Sequence, residues 1–191
     1  MAWFILATTG VWVIFWFYWI WAARHTGQTQ RREASRSRAH VLHLAILLLA
    51  YILNLPGLSG LGPLNARFLP ESLVLGGIGL LILLASLALA VWARRHLGRY
   101  WGSGIVIRAG HELIRSGPYA LVRHPIYTGF VGGILGTAIV IGEWRGLLAV
   151  ILLLVSYWQR IRQEETWLVA QFGPVYEQYR REVKALVPLL W

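Results

Sequence analysis

The chain has 191 residues, 57% of them hydrophobic and 14% charged, which is too apolar for an ordinary water-soluble domain and places it in a bilayer. Its formal charge of +10 would invite nucleic acid if the basic residues formed one face, so their distribution has to be read first. Cysteine is absent, which excludes disulfides, thiolate metal sites, a catalytic cysteine and palmitoylation.

Trp3 to Ala23 carries no charged residue, and about 20 such residues span the hydrocarbon layer as a helix. It lacks the basic start and small-residue cleavage site of a secretory signal, so it is expected to remain as a transmembrane helix. Arg31 to Arg38 follows as a solvated basic connector. Val41 to about Leu61 is a second span, with Asn54, Pro56 and Gly57 reading as helix terminus and turn. Ser72 to Ala93 is a third, again without charge. Ile126 to Gly142 and Gly146 to Gln159 form a helical hairpin with Glu143-Trp144-Arg145 as a polar tip at the far interface. The second arm is short unless it continues through the polar residues after it. That continuation runs to Phe172 and stops at Gly173-Pro174. An amphipathic helix then carries Tyr176, Tyr179, Val183 and Leu186 on one face, closing over a site or lying in the interface.

With five spans, every Lys and Arg except Arg67 and Arg145 falls in segments 24 to 40, 94 to 125 and 159 to 191, which share one side. This is the positive-inside asymmetry. It puts the N-terminus outside and the C-terminus in the cytoplasm, accounts for the basic charge, and leaves no role for nucleic acid. Trp3, Trp19, Trp21, Trp92, Trp144 and Trp158 sit near span ends as an aromatic belt. Gly76, Gly77 and Gly79 in one span, and Gly129, Gly132, Gly133 and Gly136 in another, have the spacing that lets transmembrane helices approach closely. The dinucleotide fingerprint G-x-G-x-x-G is absent.

The polar residues concentrate at one membrane surface. Proline is favoured at the first helical position and pushes the residue before it out of the helix, so His124-Pro125 starts the fourth span. His124 then stands at a helix N-terminus, which attracts an anion, and Arg123 adds to the attraction. Both residues also suit plain anchoring at the headgroups. Glu164 and Glu165 lie where the fifth helix leaves the bilayer. Arg160 shares a face with Glu164, as an ion pair or as two walls of a pocket. S-adenosylmethionine, with a carboxylate, an ammonium, a sulfonium and a ribose, matches such a set: helix N-terminal amides and His124 for the carboxylate, Glu164 or Glu165 for the ammonium or ribose, Tyr119 or Tyr127 for stacking and hydrogen bonds. A metal is the rival, but His96, His111 and His124 have no ligand spacing.

From Arg94 onward the order His111-x-Leu113-Ile114, Gly117-Pro118-Tyr119, Arg123-His124-Pro125-x-Tyr127-x-Gly129, Arg160-x-x-x-Glu164-Glu165, Phe172-Gly173-x-x-Tyr176-x-x-Tyr179 and Pro188 resembles the isoprenylcysteine carboxyl methyltransferase and phospholipid methyltransferase family. The resemblance implies an all-α integral membrane protein of about five transmembrane helices in one domain, 1–191. Residues 1–93 would supply three spans and 94–191 the cofactor-binding half, where cytoplasmic loop and C-terminal amphipathic helices form the pocket. It implies S-adenosylmethionine as cofactor, with His111, Glu112, Leu113, Ile114, Tyr119, His124, Pro125, Tyr127 and Glu164 lining its pocket. Arg160 would face the acceptor, and Glu165 would support the pocket from beside it.

The eukaryotic members have additional N-terminal helices, whereas this chain is similar to the compact prokaryotic type, so the acceptor stays open among a lipid, an isoprenoid acid and a thiol. The expected partners are the bilayer and a lipophilic acceptor entering from it, with no nucleic acid and no metal. Carboxyl O-methylation comes first. Phospholipid N-methylation, a nicotinamide-dependent sterol-type reductase and a non-catalytic scaffold using the glycine faces are the alternatives. A carboxylate acceptor needs no base; an amine would need Glu165 or His124 to take its proton.

Overall fold

The computed structural model describes residues 2–24, 29–32, 38–102, 106–108, 110 and 112–187. The helices are α1 (Ala2–Ala22), α2 (Arg38–Leu53), α3 (Leu73–Leu97), the single turn α4 (Pro118–Leu121), α5 (Pro125–Ile141), α6 (Trp144–Phe172) and α7 (Pro174–Glu182). The chain is predominantly helical, as the uncharged runs imply. Sequence reading did not anticipate a short antiparallel ribbon, β1 (Thr29–Arg32) with β2 (Val106–Arg108).

Among the described residues two helices, Ala2–Ala22 and Leu73–Tyr100, are long and apolar enough by themselves to cross a membrane. His40–Leu53 and Pro125–Ile141 are apolar but shorter. The second span ends where its turn residues put the terminus: α2 closes at Leu53 and the chain turns through Asn54 to Gly57 instead of running as helix to Leu61. At 29 residues α6 is about 43 Å long, so it carries both the apolar arm and the polar extension that the sequence left undecided.

The α5–α6 hairpin turns as expected, but its tip is not simply a solvated polar end. Gly142 takes a left-handed conformation, φ 72°, where its carbonyl accepts from the Phe68 and Leu69 amides at 2.9 and 3.3 Å. Arg145 points inward and is 2% exposed. Its Nη1 donates to the carbonyls of Leu53 and Leu55 at 2.6 and 2.8 Å, capping α2, and its Nε donates to Glu143 at 2.7 Å. Burial would raise the Glu143 carboxyl, but the bonds from Arg145 and Asn65 hold it below the ordinary carboxylate value.

The closest helix pair is α3 with α5, and glycines set the distance. A Cβ on Gly136 would lie 2.5 Å from the Gly79 carbonyl oxygen, and one on Gly129 would lie 2.5 Å from that of Ser86. Gly76 meets the ring of Phe4 instead, while Gly77 faces open space. Around this seam Trp12, Phe15, Trp16, Trp19, Tyr51 and Phe130 interlock edge-to-face. Trp19 therefore belongs to the core rather than to an interfacial belt: its ring and that of Trp101 flank the Arg94 guanidinium at 4.2 and 3.7 Å.

Gly136→Val is expected to destabilise the protein by about 3 kcal/mol, since backbone on both helices must move. Gly77→Ala should be neutral or better, because alanine is the stronger helix former and meets nothing. Thermal unfolding of the two variants in detergent checks the difference.

Candidate functional site

The site gathers where α3 ends and α5 begins. Gly117, φ 59°, turns the chain into Pro118, and a Cβ there would meet the His96 ring at 2.9 Å. Tyr119 on α4 stacks on that ring. Val122 is extended and α5 opens with His124 as its cap and Pro125 in its first turn. The extended stretch between α4 and α5 leaves the amides of Arg123 and His124 free of helix bonding, and they donate to the carbonyls of Lys184 and Ala185 at 2.8 and 3.0 Å. Thr128 Oγ1 adds a bond to Leu186 O at 2.8 Å. These contacts explain why α7 stops at Glu182, short of the amphipathic helix read through Leu186. A helix would keep those carbonyls for itself, whereas the extended segment offers them to α5 and still buries Leu186.

Side chains reinforce the joint. Arg123 donates from Nε to Glu165 Oε1 at 2.7 Å, with Nη2 also 2.7 Å away, and from Nη1 to the carbonyls of Arg180 and Val183. His124 Nε2 lies 3.2 Å from the same carboxylate oxygen, and its Nδ1 lies 3.8 Å from Glu164 Oε2. Burial acts to raise the Glu165 carboxyl, but hydrogen bonds and charge from His124 and Arg123 outweigh it, so the group sits below its ordinary value of 4.5. Glu164 receives the Tyr127 hydroxyl at 2.7 Å. Tyr127 lies parallel to His124 on one side, ring centroids 5.5 Å apart, and to Tyr157 on the other at 4.4 Å.

These elements border a cleft of about 910 Å³ that is partly open to its surroundings. Of the residues expected from sequence, Glu112, Leu113, Ile114, Tyr119, Arg123, His124, Pro125, Tyr127 and Glu164 line it. His111 lies outside the described residues. Arg160 and Glu165 are buried beside it and do not line it. Arg160 is near enough to Tyr127 and Tyr157 to act on both electrostatically. Sequence reading missed Tyr100, Trp101, Trp167 and Leu168 as lining residues. Trp167 and Leu168 stand three and four positions after Glu164, a helical face that was available to read. Trp101 follows the end of α3, and no local pattern marks it.

Tyr176 and Tyr179 of α7 form the roof. Tyr179 donates its hydroxyl to the Tyr119 carbonyl at 2.5 Å, and burial pushes its pKa up to about 12. The buried Tyr176 hydroxyl finds no hydrogen-bond partner among the described residues. Burial and the nearby Glu165 and Glu164 charges raise its pKa, so it remains a donor. Among the described residues no group of three or more His, Asp or Glu gathers as a metal cage.

Glu165→Gln and Arg123→Gln should each cost about 3 kcal/mol, the loss for breaking a buried pair, and the double variant should cost less than the sum. Because the folded carboxyl titrates below its ordinary value, its contribution is complete above about pH 4.5 and is lost as the pH falls through the depressed value. Unfolding midpoints measured from pH 7 down to 3 should fall at the acid end in the wild type and less steeply in Glu165→Gln.

Comparison with known proteins matches residues 78–170 to the model of the "Isoprenylcysteine carboxyl methyltransferase (ICMT) family". The chain is 38% identical over 109 residues to the protein-S-isoprenylcysteine O-methyltransferase of Schizosaccharomyces pombe, covering 49% of this chain and 46% of that one. It is 36% identical over 81 residues to the probable enzyme of that name from Oryza sativa subsp. indica, covering 42% of each. Identity is 35% over 100 residues to the cobalt-zinc-cadmium resistance protein CzcN of Cupriavidus metallidurans, with 49% of this chain and 44% of that one covered. The chain thus spans less than half the length of these relatives.

Proposed function

We propose that the chain is a multi-pass integral membrane methyltransferase of the isoprenylcysteine carboxyl methyltransferase family, whose model matches residues 78–170. It uses S-adenosylmethionine and methylates the carboxylate of an isoprenylcysteine-like or other lipophilic acceptor. The observation that carries this reading is the convergence of three sequence-distant stretches, 97–102, 112–127 and 164–179, on one cavity.

The residues present fit the cofactor. Glu164 offers a carboxylate to a cationic group, and the Tyr176 hydroxyl is a buried donor lacking a partner. Trp101, Trp167 and Phe172 supply flat apolar surface for a base. When bound, S-adenosylmethionine supplies an activated methyl group on a sulfonium centre. The protein's task is to align the acceptor and exclude water. An acceptor carboxylate is ionised at neutral pH, so no side chain has to remove a proton. Glu165 holds Arg123 and His124 in place, as a support beside the pocket, and Arg160 stands close enough to Tyr127 to act on it electrostatically.

The bilayer reading rests on the outward faces. Leu6, Ile14, Leu48, Leu81 and Ile151, from α1, α2, α3 and α6, are each more than half exposed, which water would penalise and acyl chains accept. On this reading α2, α5 and the apolar arm of α6 complete five spans. The arginine distribution supports a cavity on the cytoplasmic side and an N-terminus outside.

Calorimetric titration of S-adenosylmethionine into detergent-purified protein tests the proposal. Binding is expected in the wild type and should weaken at least tenfold in Glu164→Gln, the loss of one charge-assisted contact. Unchanged affinity in the variant would overturn the pocket, and binding of NADPH without S-adenosylmethionine would turn the assignment to a reductase.

A further inference from the structure

The polar extension of α6 borders a second space. Between it and α7 runs a crevice of about 710 Å³, open to its surroundings and lined by Arg162, Glu165, Thr166, Val169 and Arg180. None of these residues lines the candidate site. Glu165 gives its Oε1 to Arg123 and His124, whereas its Oε2 lies 4.0 Å from Arg180 Nη1.

The charge in the crevice is unbalanced. Its one acid is already compensated by Arg123 at 2.7 Å, so Arg162 and Arg180 are surplus cations. On α7, Glu182 is bonded to Arg115, and Glu177 does not line the crevice. The Arg162 guanidinium lies over the Trp158 ring, 4.0 Å from its centre, which holds it at the crevice edge. Thr166 spends its hydroxyl proton on the Arg162 carbonyl at 2.9 Å. The donors left for a ligand are therefore guanidinium N–H groups, whose fork suits phosphate oxygens.

Before Arg162 the same helix face is apolar. Ile151, Val155 and Trp158, spaced by four and three residues, are 57%, 49% and 40% exposed. From Val155 to Arg162 the helix rises about 10 Å, comparable with the passage from hydrocarbon to headgroup. A lipid lying along this face would bring its phosphate to the crevice. A choline or ethanolamine headgroup would also need a carboxylate or an open aromatic face for its ammonium, but Glu165 is held by Arg123 and the Trp158 ring is covered by Arg162.

We propose that the crevice between α6 and α7 binds a net-anionic phospholipid, its phosphate held between Arg162 and Arg180 and an acyl chain lying along Trp158, Val155 and Ile151. This rests on the bilayer reading and is independent of methyl transfer.

The chain has no cysteine, so Gln159→Cys, exposed on the same face, carries a single fluorescent label. In phosphatidylcholine nanodiscs, phosphatidylglycerol with a nitroxide near the glycerol end of its acyl chain should quench that label about fivefold more than phosphatidylcholine with the same nitroxide at the same mole fraction. A label at Trp92→Cys, exposed near Arg95 at the end of α3, reports diffuse attraction to a basic surface and should show little preference. Arg162→Gln with Arg180→Gln should remove the preference at residue 159 while the unfolding temperature is kept. The comparison of positions 159 and 92 decides the matter even without that variant. Equal quenching by both lipids, the same preference at position 92, or a preference kept by the folded double variant would overturn the headgroup site and leave the bilayer reading intact. Absence of quenching by either lipid would deny that this face meets lipid and overturn both.

Discussion

The guanidinium of Arg123 is the tie on which the candidate site depends. It joins three parts of the chain that are far apart in sequence: the start of α5, the polar extension of α6 through Glu165, and the carbonyls of Arg180 and Val183 where α7 ends. With side chains only about 10% exposed, both charges of the pair have left water, and such a pair persists when its remaining hydrogen-bonding capacity is filled. His124 takes a share of Glu165, and the backbone amides of Arg123 and His124 hold the strand that follows α7. Tyr176 and Tyr179 are thereby fixed as a roof, and Glu164, the neighbour of the paired carboxylate, is left to face the cavity.

The other end of the same hairpin repeats the device. Arg145 is buried against the carbonyls that end α2, with Glu143 as its counter-charge. One arginine thus closes each end of the α5–α6 hairpin, and between them the α3–α5 glycine seam lets backbones meet where no side chain could intervene. On the proposed bilayer reading hydrocarbon gives helices little reason to associate, and close backbone packing and satisfied polar joints carry the assembly. The candidate site occupies the end where these joints leave a gap.

Much of this was legible in the residues. Uncharged runs located α1 and α3, His124-Pro125 marked the start of α5, and Gly173-Pro174 marked the break after α6, because helix boundaries follow from local backbone chemistry. The glycine spacings foretold a close helix pair but not which faces would meet. What escaped was decided by tertiary partners. Arg145 reads as an interfacial charge until the open end of α2 lies beside it, and Trp19 reads as a belt residue until Arg94 is seen against its ring. Leu186 continues an amphipathic pattern, yet its segment leaves the helix because Arg123, His124 and Thr128 need its carbonyls. Nine of the expected cofactor residues line the cavity, since the motif concentrates on one short stretch. Tyr100 and Trp101 come from a different element, where nothing in sequence announces the approach.

The central claim is that the stretches joined by Arg123 and Glu165 form one cofactor-binding unit. Hydrogen exchange of the detergent-solubilised protein, with and without S-adenosylhomocysteine, tests it most directly. The account predicts slowed exchange in residues 112–127 and 164–183 together, and none at the hairpin turn around residues 142–145. Unchanged exchange in those two stretches, or protection confined to the hairpin end, would contradict it.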